Sequence, residues 1–452
     1  MKKKTIALVF AALFLVLSLL PSIGMLAFGG SRAAANETLS RLPKLRLEDG
    51  SVNPSVLAEA TDYAADHFAF RNELVNAWAE LNARVFRTSS EEQVILGSND
   101  WLYYASTLDD YRGCGMNETE LTSAARNLSM MQEYAQSCGA DFIFTIAPNK
   151  NSLYPENMPS YIPFAHEKGN SAQIEPLLRD HGLSYCDLFS PFLADEEVLY
   201  YHTDSHWTDR GAALAADTIL ASFGKKANYY HSEFTEESQH LGDLYAMLYP
   251  TGSRTETAYS YAKGFRFVTE ANPNGGNAMR IDTTNEKADG TLLCWRDSFG
   301  ISLYPYLAES FKEAHFSRES SYNLTEITKL QADHVLIELV ERNIPWLIRY
   351  APVMPAPQRT IDLASARKAD VKAFAAGRED SKYELYHLSG EIPCAYSGEQ
   401  VYIVAGDAAF EACLTEKDGT WSYHAYLEPD VEATALCIGT NPDLTIYPLT
   451  IN

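Results

Sequence analysis

Two short stretches carry residue types that together could perform acyl transfer. The first, residues 201–211, reads Tyr-His-Thr-Asp-Ser-His-Trp-Thr-Asp-Arg-Gly and contains Asp204 and His206 two positions apart. On extended backbone the side chains at i and i+2 point the same way. A carboxylate in that position can hold the imidazole in one tautomer and stabilise its charged form. The pair is therefore suited to general-base catalysis.

The second stretch, residues 292–300, reads Leu-Leu-Cys-Trp-Arg-Asp-Ser-Phe-Gly and supplies a nucleophile. Ser298 follows an apolar run that predicts a buried strand, and a pattern compatible with a helix begins just after it. A strand-to-helix turn of this kind presents a hydroxyl beside backbone N–H groups that have no partner in the helix. The two stretches together predict a serine-dependent acyl-transfer enzyme.

Three segments also resemble the DHHW family, which belongs with the alginate O-acetyltransferase-like branch of the SGNH-hydrolase fold. The segments are Asp204-Ser205-His206-Trp207, Asp297-Ser298-Phe299, and Val94-Ile95-Leu96-Gly97 followed by Trp101-Leu102-Tyr103-Tyr104. The likeness runs from about Asp66 to about Asn343. The resemblance implies that Ser298 is the nucleophile, that His206 is the base and that Asp204 orients it.

Two residues depart from the family pattern. Ser205 stands where the family name has its first His, so that His is not expected to be essential in this chain. Arg296 stands where the usual Gly-Asp-Ser has Gly, which alters the expected geometry around the oxyanion. Asp297 is interpreted as a cap of the following helix, and Trp207 as packing that fixes the loop.

Further polar residues are candidates for the oxyanion and the substrate. The backbone N–H of Ser298 and the side chain of Asn149, which follows a predicted strand and a proline, are the candidate oxyanion donors. Lys150, Tyr304 and Arg296 are predicted to contact substrate. His202, Asp204 and His206 alternate and could instead form half of a metal site. No further pair at ligand spacing stands out, so we expect neither a metal nor a cofactor.

Helical and apolar-strand patterns alternate along most of the chain. Strands are predicted at 141–147, 183–188, 292–295, 313–316 and 334–340, with helices at 118–137, 174–180, 209–223, 301–311 and 324–330. Such alternation predicts a parallel sheet covered by helices on both faces, with sites at the carboxyl ends of the strands. The fold class expected is α/β: an SGNH-hydrolase-like doubly wound parallel sheet with an antiparallel insertion, plus a small C-terminal all-β domain.

The domain organisation follows from changes in pattern. We expect a signal sequence or membrane anchor at 1–30, a linker at 31–57 and a catalytic domain at 58–350 with an insertion at 225–290 forming one wall of the cleft. A proline-rich and charged linker at 351–382 and a small β domain at 383–452 complete the chain. The seven cysteines include no Cys-x-x-Cys pair, so a zinc ribbon or redox motif is not expected.

The N-terminus and the net charge bear on localisation. Three lysines precede an apolar run, a pattern typical of a secretion signal or an uncleaved anchor. The anchor is favoured, because the resemblance implies work at the membrane face. The protein is therefore expected outside the cytoplasm, at the cell surface. The net charge of −24 argues against nucleic acid as a partner.

Three functions remain open from the sequence. The first is O-acetylation of a cell-surface or secreted polysaccharide through an acyl-Ser298 intermediate, with a membrane-bound O-acyltransferase as the donor that the family implies. The second is a carbohydrate esterase, which would use water as the acceptor. The third is a non-catalytic glycan-binding protein with a degenerate site, a reading to which Arg296 lends some support.

Overall fold

The computed structural model describes residues 2–31, 33, 38–269, 274–381, 383–440 and 442–452. The predicted linker at 31–57 therefore lies partly outside the described residues. The α-helices are α1 Lys2–Phe28, α2 Val56–His67, α3 Arg71–Leu81, α4 Leu108–Tyr111, α5 Glu118–Ser137, α6 Lys150–Leu153, α7 Asn170–Asp180, α8 Phe189–Ala194, α9 Asp209–Ser222, α10 Asp243–Leu248, α11 Gly300–Ser310, α12 Glu326–Leu330 and α13 Trp346–Arg349.

The strands up to residue 350 form one large sheet and two hairpins. They are β1 Val94–Leu96, β2 Leu102–Tyr104, β3 Asp141–Ala147, β4 Tyr185–Cys186, β5 Phe234–His240, β6 Glu256–Tyr261, β7 Val268–Thr269, β8 Arg280–Thr284, β9 Thr291–Trp295, β10 Glu313–Ser317 and β11 His334–Val340. The large sheet has the order β4-β3-β11-β9-β10-β8-β7. Its first five strands are parallel, and β8 and β7 add antiparallel strands at the edge.

Alternating side chains on the central strands explain why helices cover both faces of this sheet. On β9, Leu292 and Cys294 join the apolar cluster that includes residues of α9 and α11, whereas Leu293 and Trp295 join the cluster on the side of α5 and α7. A strand buried on both faces is the arrangement expected of a doubly wound sheet. The predicted α/β class is confirmed, and β9, which leads into Ser298, lies between β11 and β10.

The insertion contains the predicted antiparallel strands and one helix that the pattern did not indicate. Strands β5 and β6 form a hairpin, and α10 lies in the connection between them. Strand β8 pairs with β10, so the insertion also extends the main sheet. The α10 segment was not predicted because its six residues are too few to show a helical repeat.

The C-terminal region is a second sheet. Its strands are β12 Gln358–Arg359, β13 Arg367–Lys368, β14 Phe374–Asp380, β15 Tyr386–Glu391, β16 Val401–Ala405, β17 Ala408–Glu411, β18 Cys413–Lys417, β19 Thr420–Leu427, β20 Ala435–Thr440 and β21 Asp443–Ile451. The C-terminal all-β part of the predicted fold class is therefore also confirmed. Strands β12 to β14 come from residues assigned to a linker in the sequence. Their charged and alanine-rich sequence lacks clear alternation, and they are ordered by pairing with β17 and β21.

One helix among the described residues is long and apolar enough to cross a membrane. It spans Thr5–Met25 within α1, with a mean hydropathy of 2.7, and its most apolar 18 residues are not buried. A secretion signal would have the same composition, so the helix alone does not separate an anchor from a cleaved signal.

Candidate active site

The two loops predicted to meet do so at the carboxyl edge of the sheet. Ser298 follows β9, and its Oγ lies 2.9 Å from Nε2 of His206. Nδ1 of His206 lies 2.7 Å from Oδ1 of Asp204. If Nδ1–H donates to the carboxylate, Nε2 is left to accept from the serine hydroxyl, which is the tautomer that a general base requires. The chain of contacts thus runs from carboxylate to imidazole to hydroxyl.

Lys150 binds the backbone of the loop that carries His206. Its ammonium donates to the carbonyl oxygens of Tyr201, His202 and Asp204 at 3.1, 3.0 and 2.5 Å. Burial lowers the pKa of Lys150 to about 7, opposed by the nearby carboxylates of which Asp204 is the first. The sequence predicted Lys150 as a substrate contact, but it is buried with its three donors in use. Its place in the structure is that of a support for the loop.

Two carboxylates of the insertion, Glu256 and Asp243, bind the same loop. The carboxylate of Glu256 accepts from the backbone N–H groups of His202 and Thr203, both at 2.7 Å. Asp243 accepts the Ser205 N–H at 2.7 Å and the Ser205 hydroxyl at 2.6 Å. Ser205, which replaces the first His of the family pattern, therefore ties the loop to the start of α10.

Asp204 also binds a second imidazole, that of His240, which no motif in the sequence indicated. Its Oδ2 lies 2.8 Å from Nε2 of His240, at the end of β5, and accepts the Asp243 N–H at 3.0 Å. Burial alone would raise the pKa of Asp204, but the hydrogen bonds from His206 and His240 hold that pKa well below its ordinary value. Burial lowers the pKa of His240, but the contact with Asp204 outweighs it and leaves the pKa raised. The carboxylate therefore stays ionised.

Asp297 fixes the turn that presents Ser298. One carboxylate oxygen accepts the Phe299 N–H at 2.9 Å, and the other accepts the Val340 N–H at 2.8 Å and the Asn343 amide at 2.7 Å. Helix α11 begins at Gly300 with Phe299 as its N-cap and no side-chain cap, so the predicted capping role of Asp297 is wrong. The Asp297 carboxylate instead binds the turn before the helix and the end of β11. Trp207 is buried and donates to the Ser302 hydroxyl at 2.8 Å, which joins the His206 loop to α11.

Arg296 and Tyr304, both predicted to contact substrate, lie together on the side of the insertion. The buried Arg296 guanidinium donates to the carbonyl oxygens of Gly276 and Ala278 at 2.8 and 3.2 Å, and lies 5.9 Å from the Tyr304 ring. Arg296 therefore fastens the end of β9 to the loop before β8 and is not brought to His206. Its side chain packs closely against Gly300, where an added side-chain carbon would lie 2.5 Å from Cδ of Arg296.

Asn149 follows β3, two strands from Ser298 with β11 between them. Its side chain is 1% exposed, and neither its amide nitrogen nor its oxygen has a partner among the described residues. It borders a cavity of about 10 Å³ together with Ser205 and Arg342, which is the space of one water molecule. A buried polar group without a protein partner is explained by a water in such a cavity or by a functional role. The Ser298 N–H likewise has no partner in the part of the chain that the structure describes.

The three residues suggested as half of a metal site, His202, Asp204 and His206, do not come together as one group. The His202 ring stacks on Trp101, with 4.6 Å between ring centroids. Asp204, His206 and Asp243 do have ligand-capable atoms within 4.8 Å of one another. Their oxygens accept the backbone and side-chain donors described above, so we interpret the group as a hydrogen-bond network.

Comparison with known proteins supports the resemblance predicted from the motifs. Residues 94–285 match the family described as SGNH hydrolase-like domain, acetyltransferase AlgX. The match includes Asn149, Asp204 and His206 and ends before Ser298. The probable alginate O-acetylase AlgJ of Pseudomonas syringae pv. tomato is 26% identical over 194 residues, which are 40% of this chain and 48% of that protein. The chain thus spans about half the length of this curated relative.

Two solved structures are also similar. Bacillus cereus PatB1 with a sulfonyl adduct aligns with a TM-score of 0.45 and 17% identity, over 55% of this chain and 95% of that one. A DHHW family protein from Eubacterium siraeum aligns with a TM-score of 0.40 and 15% identity, over 49% and 85% of the two chains. The sequence resemblance is confirmed: residues 94–285 of this chain are similar to the SGNH hydrolase-like domain of AlgX, and the chain is similar to AlgJ.

Proposed function

We propose that the protein is a serine-dependent O-acetyltransferase that modifies a polysaccharide. The observation that carries the proposal is the continuous contact from Asp204 through His206 to Ser298, with separations of 2.7 and 2.9 Å. The names of the curated relatives, which are probable alginate O-acetylases, support a polysaccharide acceptor. The particular sugar is left open by these names, because the chain spans only part of those proteins.

The proposed reaction has two half-reactions. His206 takes the proton of the Ser298 hydroxyl as its oxygen attacks the acyl carbonyl, and the protonated imidazole then gives that proton to the leaving group. The acetyl group is now an ester on Ser298. His206 next takes a proton from the acceptor hydroxyl, which attacks the ester and releases Ser298 with its proton returned by the imidazole. Asp204 keeps the ring aligned and stabilises its charged form in both steps.

The negative oxygen that develops in each step needs fixed donors. We assign this role to the backbone N–H of Ser298 and to the side-chain amide of Asn149, because neither has another partner. One such donor contributes about 3 kcal/mol to the transition state in comparable sites. Glu341 supports Asn149 by accepting its backbone N–H at 3.0 Å.

The proposal places the site outside the cytoplasm, anchored by α1, with a membrane-bound O-acyltransferase as the acyl donor. Arg296, which lent support to a non-catalytic glycan-binding protein, has a structural role that accounts for its presence. The hypothesis of a non-catalytic glycan-binding protein therefore loses the observation that supported it. The transferase and esterase versions differ only in whether a sugar hydroxyl or water resolves the acyl enzyme.

Turnover of a chromogenic ester tests the proposed site. The purified protein should release p-nitrophenol from p-nitrophenyl acetate, and Ser298→Ala should abolish this release without changing the circular dichroism spectrum. Ser137→Ala is the matched control, since that exposed hydroxyl at the end of α5 donates to the Tyr134 carbonyl of its own helix. Unchanged turnover in Ser298→Ala would end the catalytic assignment. Adding oligosaccharides and detecting acetylated product by mass spectrometry would then separate a transferase from an esterase.

A further inference from the structure

Helix α3 and the turn after it expose a row of large apolar side chains to solvent. Leu74, Trp78 and Leu81 on α3 and Val85 on the π-helical turn Asn82–Phe86 are 41%, 56%, 45% and 62% exposed. Spacings of four, three and four residues place them on one helix face, over a length of about 16 Å. We call these four residues the outward stripe.

The opposite face of the same helix is the one that packs on the protein. Ala79 is buried against Leu244 and Leu248 of α10. Asn76 donates from its amide to the Thr251 hydroxyl at 2.7 Å and accepts the Thr251 N–H at 3.2 Å. The helix therefore packs with small and polar side chains and exposes its large apolar ones. An exposed row of this kind marks a surface that contacts another apolar phase or molecule.

The apolar helix α1 reaches the start of this helix. A side-chain carbon added at Gly24 would lie 2.5 Å from the Phe70 ring, so the end of the Thr5–Met25 segment packs closely against the residue before α3. Beyond α1, the Ser31 N–H donates to the His67 carbonyl at 3.2 Å and the Ser31 hydroxyl accepts the Arg71 N–H at 3.1 Å. If α1 crosses a membrane, α3 begins at the membrane surface.

We propose that the outward stripe lies in the lipid–water interface of the bilayer that α1 crosses, so that two elements and not one hold the protein on the membrane. A tryptophan among aliphatic residues is typical of interfacial helices. Residues 71–87 contain three arginines and two glutamates, on a chain with a net charge of −24. This segment therefore can approach an anionic lipid surface that the rest of the molecule would avoid.

The same helix would then orient the active site. Its inner side borders a groove of about 830 Å³, whose lining includes Ala83, Trp101 and Thr203. Thr203 belongs to the loop that carries His206. Seating the stripe on lipid would hold this groove beside the membrane, where a membrane-bound acyl donor would work. The inference rests on the anchoring proposed above, so its test must separate the two.

Native tryptophan fluorescence offers the test, because Trp78 is the one exposed tryptophan among the six. The full chain is reconstituted into phosphatidylcholine–phosphatidylglycerol vesicles with brominated or unbrominated acyl chains. Flotation through a sucrose gradient reports whether α1 holds the chain on the vesicles. Quenching by the bromines reports whether Trp78 contacts acyl chains. We expect brominated lipid to lower the emission of the wild type, and this loss to disappear in Trp78→Phe.

The variant Leu74→Gln/Leu81→Gln should also reduce the quenching while flotation persists. Glu73→Gln/Glu80→Gln, on the flank of the same helix, is the matched control and should keep it. Flotation with quenching no greater than in Trp78→Phe would overturn the stripe proposal and leave the anchor intact. A dimer in detergent that is lost in Leu74→Gln/Leu81→Gln, without lipid quenching, would overturn it in favour of a second copy. Absence of flotation and of quenching together would reject both the anchor and the stripe.

Discussion

The central residue of the site is Asp204, because both of its carboxylate oxygens accept from imidazoles. His206 occupies Oδ1 and His240 occupies Oδ2. A carboxylate fixed from two sides cannot rotate away from the His206 imidazole, and it remains ionised at neutral pH because its pKa is held low. His240 thus acts as a positioning residue in the proposed mechanism, since it touches Asp204 and not the reacting hydroxyl.

The raised pKa of His240 predicts a pH-dependent stability. A histidine whose pKa is higher in the folded state stabilises the fold fully below its unfolded pKa of about 6.5, and this contribution is lost as the pH rises through the folded pKa. His240→Gln should therefore lower the free energy of unfolding more at about pH 5.5 than at about pH 9. Urea unfolding at both values measures this, with the exposed His231→Gln as the control. An equal loss at both pH values would contradict the assignment.

The hydrogen bonds of Lys150 to the loop give a second prediction at the scale of single residues. Lys150→Met removes the three hydrogen bonds to the loop carbonyls and leaves those oxygens buried, at a cost of about 2 kcal/mol. Because the loop carries His206, we expect kcat for p-nitrophenyl acetate to fall more than KM changes. Lys226→Met, at an exposed position, provides the comparison. Wild-type kcat in the Lys150 variant would show that the support is dispensable.

At the scale of elements, the insertion holds the loop that carries His206, and Gly242 allows the two to come close enough. A side-chain carbon at this position would lie 2.2 Å from the Thr203 carbonyl oxygen. Gly242→Ala should therefore push α10 and the loop apart and reduce turnover at least tenfold, the effect of about 1.4 kcal/mol on the barrier. Gly377→Ala is the control, because its nearest neighbour would lie at 3.8 Å. Unchanged activity in Gly242→Ala would mean that the loop does not depend on this contact.

The sequence predicted the elements whose information is local. Helix α5 and strands β3 and β11 begin and end where the apolar periodicity and the capping residues indicate. Asp204, His206 and Ser298, which the structure brings into contact, could be proposed from the sequence because each lies in a compact motif. His240, Asp243 and Glu256 were missed, because they act through contacts between segments far apart in the chain, and no local spacing signals such a contact. Lys150 was predicted as a substrate contact, and its burial beneath the loop could not be predicted from the sequence.

At the scale of the whole molecule, the C-terminal sheet is attached to the α/β part through polar contacts of helix α5. The Asn127 side chain on α5 donates to the carbonyls of Leu347 and Leu414 at 2.9 and 2.8 Å, and accepts the Leu414 N–H at 3.1 Å. Arg359 binds Glu133 on the same helix. The two parts are therefore expected to unfold together.

Replacing Asn127 tests this coupling. Asn127→Ala leaves buried backbone groups unpaired and should destabilise the protein by about 2–3 kcal/mol, with separate unfolding of the two parts as the consequence. Differential scanning calorimetry should show one transition in the wild type and a lower or split transition in the variant. Asn228→Ala, at an exposed position, is the control. A single unshifted transition in Asn127→Ala would contradict the coupling.

The most direct test of the central claim is to find the acyl group on the enzyme. The protein is mixed with p-nitrophenyl acetate, quenched in acid within the first turnovers, digested and analysed by mass spectrometry. The account predicts an acetyl group on the peptide that contains Ser298, its absence in Ser298→Ala, and slower accumulation in Asp204→Asn. Sustained turnover with no acetyl on Ser298, or acetyl on another residue that turns over equally in Ser298→Ala, would contradict it.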